Sequence, residues 1–580
     1  MSTNQATSPF EEGRPVLLTG LSTTANISLT DDRNSSFVDN KLEGTDHEEG
    51  ELVLCNIVSL LPFQADAHNA NAMHKVGQSA VNRTKIAEES LWATLLAIEH
   101  LNLGDSSIIS NLTDLPTTCP IRFSTELVDT DNDPVVAVRR VTERLTATNS
   151  RSTPVMGSTS LPSSTQHANP CAFVGGVAST VSEHTSIVTG GRGYTQVSAQ
   201  STSSDLQDRK QYPRFARTIP DFGGPSAALI RYLIERRQKG DARERYNGGR
   251  IFLAVVNLDD GYGNSYATHI REAARMYNTD VTNNGRPTTS TVDIVIEQIV
   301  YNPAAGDDIE EVFKSLQRLD FDNVFGIPCG MTVADQRKML SLASQYGVAG
   351  SGTGSTLYFD GQCISPAVVE VPFAERRAND TEYDHVVNAL SGVGILSATG
   401  GSATNATDNP KYYELQNQLS SMKQNPVYQE YFRSIVGDTD SDEIILSSFP
   451  EERGSAISNS TFSRTWEDDA EAEQWRHQEN VAASFTYEAV ILLGLSACSA
   501  VTSTASENTT QYHLDPADLY DILANNITFQ GPSGTMALDA FGSRVPNSTF
   551  YRMTNFVEFD DSSINDSRLK PVTTDVFKAD

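Results

Sequence analysis

The chain is short of positive charge: 43 lysines and arginines stand against 74 aspartates and glutamates, a formal net charge of −31. Phosphate backbones are bound by basic surfaces, so nucleic acid is excluded as a partner, and an anionic membrane surface is disfavoured. Cysteine is sparse as well, with six in 580 residues, at Cys55, Cys119, Cys171, Cys329, Cys363 and Cys498. No CxxC pair occurs, and no cysteine stands at zinc-ligand spacing from a histidine, so no metal site is expected. An even count allows two or three disulfides, while six reduced thiols is an equally plain reading. Long apolar runs are missing: Ala489–Val501, about 13 residues, falls short of the roughly 20 that a membrane helix needs. Residues 1–20 lack a basic segment followed by an apolar core, so no signal peptide is expected there. As written the chain reads as soluble: either its export and membrane segments lie outside it, or it is not exported.

Catalytic signatures are absent too. There is no G-x-S-x-G elbow, no G-x-x-x-x-G-K-[S/T] loop and no H-E-x-x-H. The cluster Gly190-Gly191-Arg192-Gly193 follows a helical stretch and reads as a helix stop. Gly350-Ser351-Gly352-Thr353-Gly354 precedes no clear helix and lacks the spacing of a dinucleotide loop. Adjacent acids such as Asp259-Asp260 mark a solvated strand end. The expectation is a protein that is not an enzyme and carries no cofactor.

What is present is an alternation of strands and helices. Residues 1–50 are polar, acidic and aperiodic, as expected of a disordered tail. From Glu51–Phe63 onward, apolar runs of strand length alternate with amphipathic helical stretches: Ala87–Asn102, Pro134–Leu145, Ser179–Val188, 225–238, Ser265–Tyr277, Asp307–Leu319 and Val333–Tyr346. Ser179 is placed to cap its helix. Such βαβ alternation builds parallel sheets. About three units precede residue 217 and about four follow it, too many for one compact sheet, so the fold class is α/β with two doubly wound lobes. The Ser/Thr-rich stretch 146–170 reads as an inserted loop, and 400–480 as polar insertions.

The best chemical signal is Gly175-Gly176-Val177-Ala178-Ser179-Thr180, where a strand ends in small residues and a helix opens with two hydroxyls. Free amides at a helix start suit a carboxylate or similar acceptor, and the place is where open α/β sheets bind ligands. An ordinary helix cap is the plainer alternative.

Several segments, in order, resemble the receptor-family ligand-binding region of class C G-protein-coupled receptors, a type I periplasmic-binding-protein-like module. They are Val174–Val181, Thr202–Leu206, Tyr212–Pro220, Asp260–Gly263, Cys329–Val333, Tyr487–Val490 and Ile527–Thr535, with Asp539, Gly542 and Asn555 downstream. The likeness is greatest to the metabotropic glutamate and GABA type B branches. It implies two Rossmann-like lobes joined by a three-stranded hinge, lobe 1 from 51–217 and 373–528, lobe 2 from 218–372 and 529–556, and a tail at 557–580. It places Ser179, Thr180 and Thr202 on the lobe-1 ligand wall and Tyr262 at the lobe-2 aromatic that closes over the ligand. A packing role in a Tyr-Gly turn is the alternative for Tyr262. Where the glutamate branch has an acid after a lobe-2 strand, this chain has Gly350-Ser351-Gly352-Thr353, which puts an α-amino acid ligand in question. The likeness also suggests a Cys329–Cys363 disulfide. Cys119 and Cys171, each opening a strand, are a candidate second pair, leaving Cys498 as a buried thiol.

The implied function is the extracellular small-ligand-binding module of a cell-surface receptor. It would close on an amino-acid-like ligand, dimerise with itself or a related chain through lobe 1, and serve a membrane domain outside this chain. Eleven N-x-S/T sequons fit a glycoprotein at the cell surface or secreted. A solute-binding protein serving a transporter and a soluble sensor domain are the rival readings.

Overall fold

The computed structural model describes residues 52–63, 73–149, 169–238, 250–283, 293–302, 307–364, 381–402, 407–436 and 473–578, less a few positions within these ranges. The expected tail at 1–50, the loop at 150–168 and residues 437–472 lie outside them.

The N-terminal strands are β1 Val53–Leu61, β2 Ile121–Asp129, β3 Pro170–Gly175, β4 Thr195–Ser198 and β5 Phe215–Arg217. They form one parallel sheet in the order β2-β1-β3-β4-β5. β1 is the central strand, and its near-continuous apolar run (VLCNIVSLL) is buried on both faces because helices cover both sides. Helix Met73–Leu103 and helix Glu473–Ala500 lie against each other over this sheet, sharing a core that includes Leu91, Trp92, Ala97, Tyr487, Ile491 and Leu492. This is lobe 1.

The second sheet takes β6 Arg250–Leu258, β7 Asp293–Tyr301, β8 Asn323–Ile327, β9 Thr356–Asp360 and β10 Val393–Ala398. β11 Thr502–Ser506 pairs with β12 Thr509–His513, and β13 Phe529–Gly531 with β14 Gly534–Met536, as separate hairpins. β15 Phe550–Asp561 and β16 Asp566–Lys578 then complete the second sheet, in the order β16-β15-β10-β9-β8-β6-β7. Its five inner strands run parallel, and β15 and β16 are added antiparallel. Within each lobe the parallel strands repeat one winding: the second strand outside the first, then third, fourth and fifth on the other side. The ligand crevice of such sheets lies at the carboxyl ends, between first and third strands. The two-lobed α/β expectation holds.

Its boundaries move. β10 is hydrogen-bonded to β9, so lobe 2 runs through Ala398 and not to 372. Phe529 and Met536 of the β13–β14 hairpin pack into the lobe-1 core, so the last crossing falls just before β15 and not at 529. The expected tail at 557–580 is instead the end of β15 and all of β16. The stretch read as insertions holds helices Pro410–Gln424 and Pro426–Val436. Leu415, Leu419, Met422 and Phe432 from them enter the lobe-1 core, with Phe432 stacked on Trp92 at 4.4 Å.

Three disulfides join Cys55 to Cys171, Cys119 to Cys498 and Cys329 to Cys363. The expected Cys119–Cys171 pair fails because β1 lies between β2 and β3, so these two strands are not neighbours. Cys171 meets Cys55 on the adjacent β1. Cys119 reaches helix Glu473–Ala500, so Cys498 is not a free thiol.

Within that helix, Val481–Ala500 is long and apolar enough to cross a membrane, and most of it is buried inside lobe 1. The run read from sequence began only at Ala489 because Ser484, Thr486 and Glu488 interrupt it. All three are buried.

Candidate functional site

The crevice is built from strand ends. At the carboxyl end of β3 the chain turns through Gly175 and Gly176, with φ of 117° and 87°. A β-carbon at Gly176 would stand 2.1 Å from Ser182 Oγ, so only glycine fits this close approach. The Gly176 carbonyl accepts from the hydroxyls of Ser182, Ser198 and Ser201, at 3.2, 2.9 and 2.9 Å. Much of the local serine content is thus spent on holding the turn. Beside it is a small hollow, about 10 Å³, lined by Ser59, Ser90, Thr94, Gly175, Gln200 and Thr486 among others.

Helix Ser179–Gly191 begins here, and its N-cap is Ala178, not Ser179. The Ser179 hydroxyl is engaged elsewhere, accepting from the Ser203 amide at 3.2 Å. Thr180 is exposed. The first amides of a helix have no intrahelical acceptor, and those of Ser179 and Thr180 open this helix. Gly190 to Gly193 do end this helix, with Gly193 at φ 88°.

Thr202 and Tyr262, 60 residues apart in sequence, line one cavity of about 20 Å³, with Asp360, Tyr266, Phe222 and Tyr551. Ser179 and Thr180 are not in its wall. Thr202 comes from the loop after β4. Tyr262 and Tyr266 lie in the first turns of helix Gly261–Asn283, which follows β6, and Asp360 ends β9. The cavity therefore sits at the carboxyl ends of both sheets, against the three crossings. The Tyr262 hydroxyl donates to Asp360 Oδ2 at 3.2 Å. Its ring meets Phe222 edge-on at 4.7 Å, while Phe222 stacks on Tyr266 at 4.6 Å. Burial, reinforced by the Asp360 carboxylate, holds the phenols of Tyr262 and Tyr266 well above their ordinary titration range. Both keep their protons near neutral pH and can donate as well as accept.

Asp360 corrects the expectation that lobe 2 lacks an acid after a strand. The run TLYFD is too short for periodicity to mark it as a strand, and its acid stands beyond Gly350–Thr353. Of these only Gly350 falls within the described residues. Asp360 is buried, and Cys363 closes the adjoining turn, bonded to Cys329 beyond β8. Cys329, Cys363 and Asp360 lie close enough together to suggest a metal site. The disulfide removes the two thiolates that such a site would need.

Across the cleft mouth, Ser204 Oγ of lobe 1 and His269 Nε2 of lobe 2 are 3.2 Å apart. At the crossings, the Arg217 amide donates to Gly542 O and the Thr399 amide to Phe550 O, both at 2.9 Å. Arg217 is buried; its guanidinium donates to Ser543 Oγ at 2.8 Å and to Ser203 O at 2.7 Å, and burial pulls its pKa down to about 10. Arg544, also buried, pairs with Glu488 at 2.7 Å and donates to Thr218 O at 3.1 Å. Arg217 thus ties the first crossing to the third, and Arg544 ties both to the lobe-1 helix that carries Glu488. Neither was singled out from the sequence, because a single Arg has no local pattern.

Residues 93–233 match the family model described as the receptor family ligand binding region. The match takes in β2 to β5, the Gly175–Thr180 turn, Thr202 and the first crossing. No curated protein matches the chain.

Proposed function

We propose, proceeding from the receptor-family match over residues 93–233, that this protein is the small-ligand-binding module of a cell-surface receptor. Two lobes would close on an amino-acid-like ligand. The observation that carries this reading is the cavity shared by Thr202 of lobe 1 and by Tyr262 and Asp360 of lobe 2. A ligand touching both walls binds the closed arrangement better and shifts the population toward it; one touching a single wall does not. The amides at Ser179 and Thr180 would receive an acceptor group, and Asp360 a donor. Extracellular exposure, dimerisation through lobe 1 and a membrane domain outside this chain belong to the same proposal. The exposed sequon asparagines Asn111 and Asn526 support a secretory route over a cytosolic sensor.

The test is calorimetric titration of the full chain with a panel of free amino acids, simple amines and small carboxylates. Small-angle scattering of the tightest binder's complex at saturation follows. Compaction on binding, lost in Thr202→Val, is the expected result. A saturating binder that leaves the scattering profile unchanged overturns the closure mechanism.

A further inference from the structure

One buried arginine brackets Thr202. Arg217, 1% exposed, donates through Nη1 to the carbonyls of Ser201 at 3.2 Å and Ser203 at 2.7 Å, the residues on either side of it. Its Nε donates to Ser543 Oγ of the third crossing at 2.8 Å. Further along the same loop, Gln207 donates to Asp221 Oδ2 of the first crossing at 2.5 Å and to Ser543 Oγ at 3.5 Å. The amides within the loop are committed too: that of Ser201 to Ser198 Oγ at 3.0 Å, that of Ser203 to Ser179 Oγ at 3.2 Å. Thr202 itself hydrogen-bonds Tyr262 across the cleft. The loop after β4 is therefore gripped by two crossings while it faces lobe 2.

Every acceptor of Arg217 is neutral. The acids around it are taken by other donors: Asp221 by Gln207 and the Gly223 amide, Asp539 by the Phe541 and Ser543 amides. A buried cation without an ion pair gains little stability from its charge. What a guanidinium provides here is a rigid planar fork that fixes three acceptors relative to one another. We propose that Arg217 is a positioning residue of the cleft: it sets Thr202 in the lobe-1 wall and links that setting to the third crossing. The proposal rests on the cleft reading above. A movement of the third crossing shifts Ser543, and the fork passes the shift to the backbone on both sides of Thr202. Ser203 is bonded to Ser179, so the opening of helix Ser179–Gly191 follows. Hinge and wall then change together.

The experiment measures amide hydrogen exchange in the unliganded full chain as wild type, Arg217→Lys and Ser543→Ala. Lysine keeps the charge and loses the fork. Ser543→Ala removes only the third-crossing acceptor, and Ser543 does not line the cavity. Both variants should speed exchange of the Ser201 and Ser203 amides about 10-fold, the loss of one hydrogen bond to a charged group, while β1 and β3 keep their wild-type rates. Acceleration by the same factor in β1 and β3 means that Arg217 only stabilises the fold, and overturns the proposal. So does an unchanged loop in Ser543→Ala, which decides the matter should Arg217→Lys not fold. A second arm uses the twenty standard amino acids as probes. A probe that binds less well to Thr202→Val should lose affinity in Ser543→Ala as well, and the double variant should lose less than the product of the two. Effects that multiply independently overturn the coupling. Binding of no probe overturns the cleft reading alone and leaves the exchange result to decide the role of Arg217.

Discussion

Glu488 and Arg544 form an ion pair in which neither side chain is exposed, and Glu488 also accepts from the Ser533 amide at 2.8 Å. Removing one partner of a buried pair strands the other charge, at a cost of about 3–5 kcal/mol, whereas replacing both with apolar groups is far milder. Glu488→Ala should therefore lower unfolding stability by about that amount in urea titrations. Glu488→Met with Arg544→Met should recover much of the loss. His100 offers a second residue-scale check. It is buried, with Nδ1 2.8 Å from the Tyr487 hydroxyl, and Asp105, Glu99 and Glu414 face it. Burial outweighs those acids and lowers its pKa from 6.5. A group whose folded pKa lies below its unfolded value must be protonated more readily on unfolding. Stability should thus fall as pH drops below about 6.5. His100→Gln should flatten that slope when midpoints at pH 5 and 7 are compared. None of these three residues stands out in the sequence, where each reads as one more polar side chain. Their importance comes from partners distant along the chain.

At the scale of elements, the periodic signals were legible and the short ones were not. Helix Ile309–Leu319 and strand β1 could be read because each buries a regular face or a whole run. β4, β5, β9 and β10 have three to six residues each, too short for periodicity to stand out. Missing β9 hid Asp360, and missing β10 misplaced the second crossing. The glycine turn after β3 was legible because its chemistry is local. The disulfides were not, since pairing depends on strand order. The Cys119–Cys498 bond fastens helix Glu473–Ala500 to the start of β2 across 379 residues of chain. Replacing both cysteines with serine should cost about 2–5 kcal/mol, read as a lowered thermal midpoint. The Cys329–Cys363 bond closes a shorter span and holds the turn beside Asp360.

For the molecule as a whole, three crossings mean that neither lobe is a continuous stretch of sequence. Residues 51–217 supply all five strands of the lobe-1 sheet but not helix Glu473–Ala500, whose Tyr487, Ile491 and Leu492 fill its core. Expressed alone, that fragment should lack cooperative unfolding and near-ultraviolet dichroism. A sharp transition would show that lobe 1 folds without its C-terminal helix. The family match over 93–233 likewise marks a signature within a fold, not a folding unit.

The same helix has a consequence for how the protein is made. Val481–Ala500 meets the physical requirements of a membrane span, yet it emerges from the ribosome only after most of its docking partners. On a secretory route, the translocation machinery would read this stretch before it reached its groove against helix Met73–Leu103. Its buried Ser484, Thr486 and Glu488 make lipid the poorer destination, because each polar group costs energy in hydrocarbon and is accommodated inside lobe 1. The residues that broke up its hydrophobic run are thus the ones that keep it from being mistaken for an anchor.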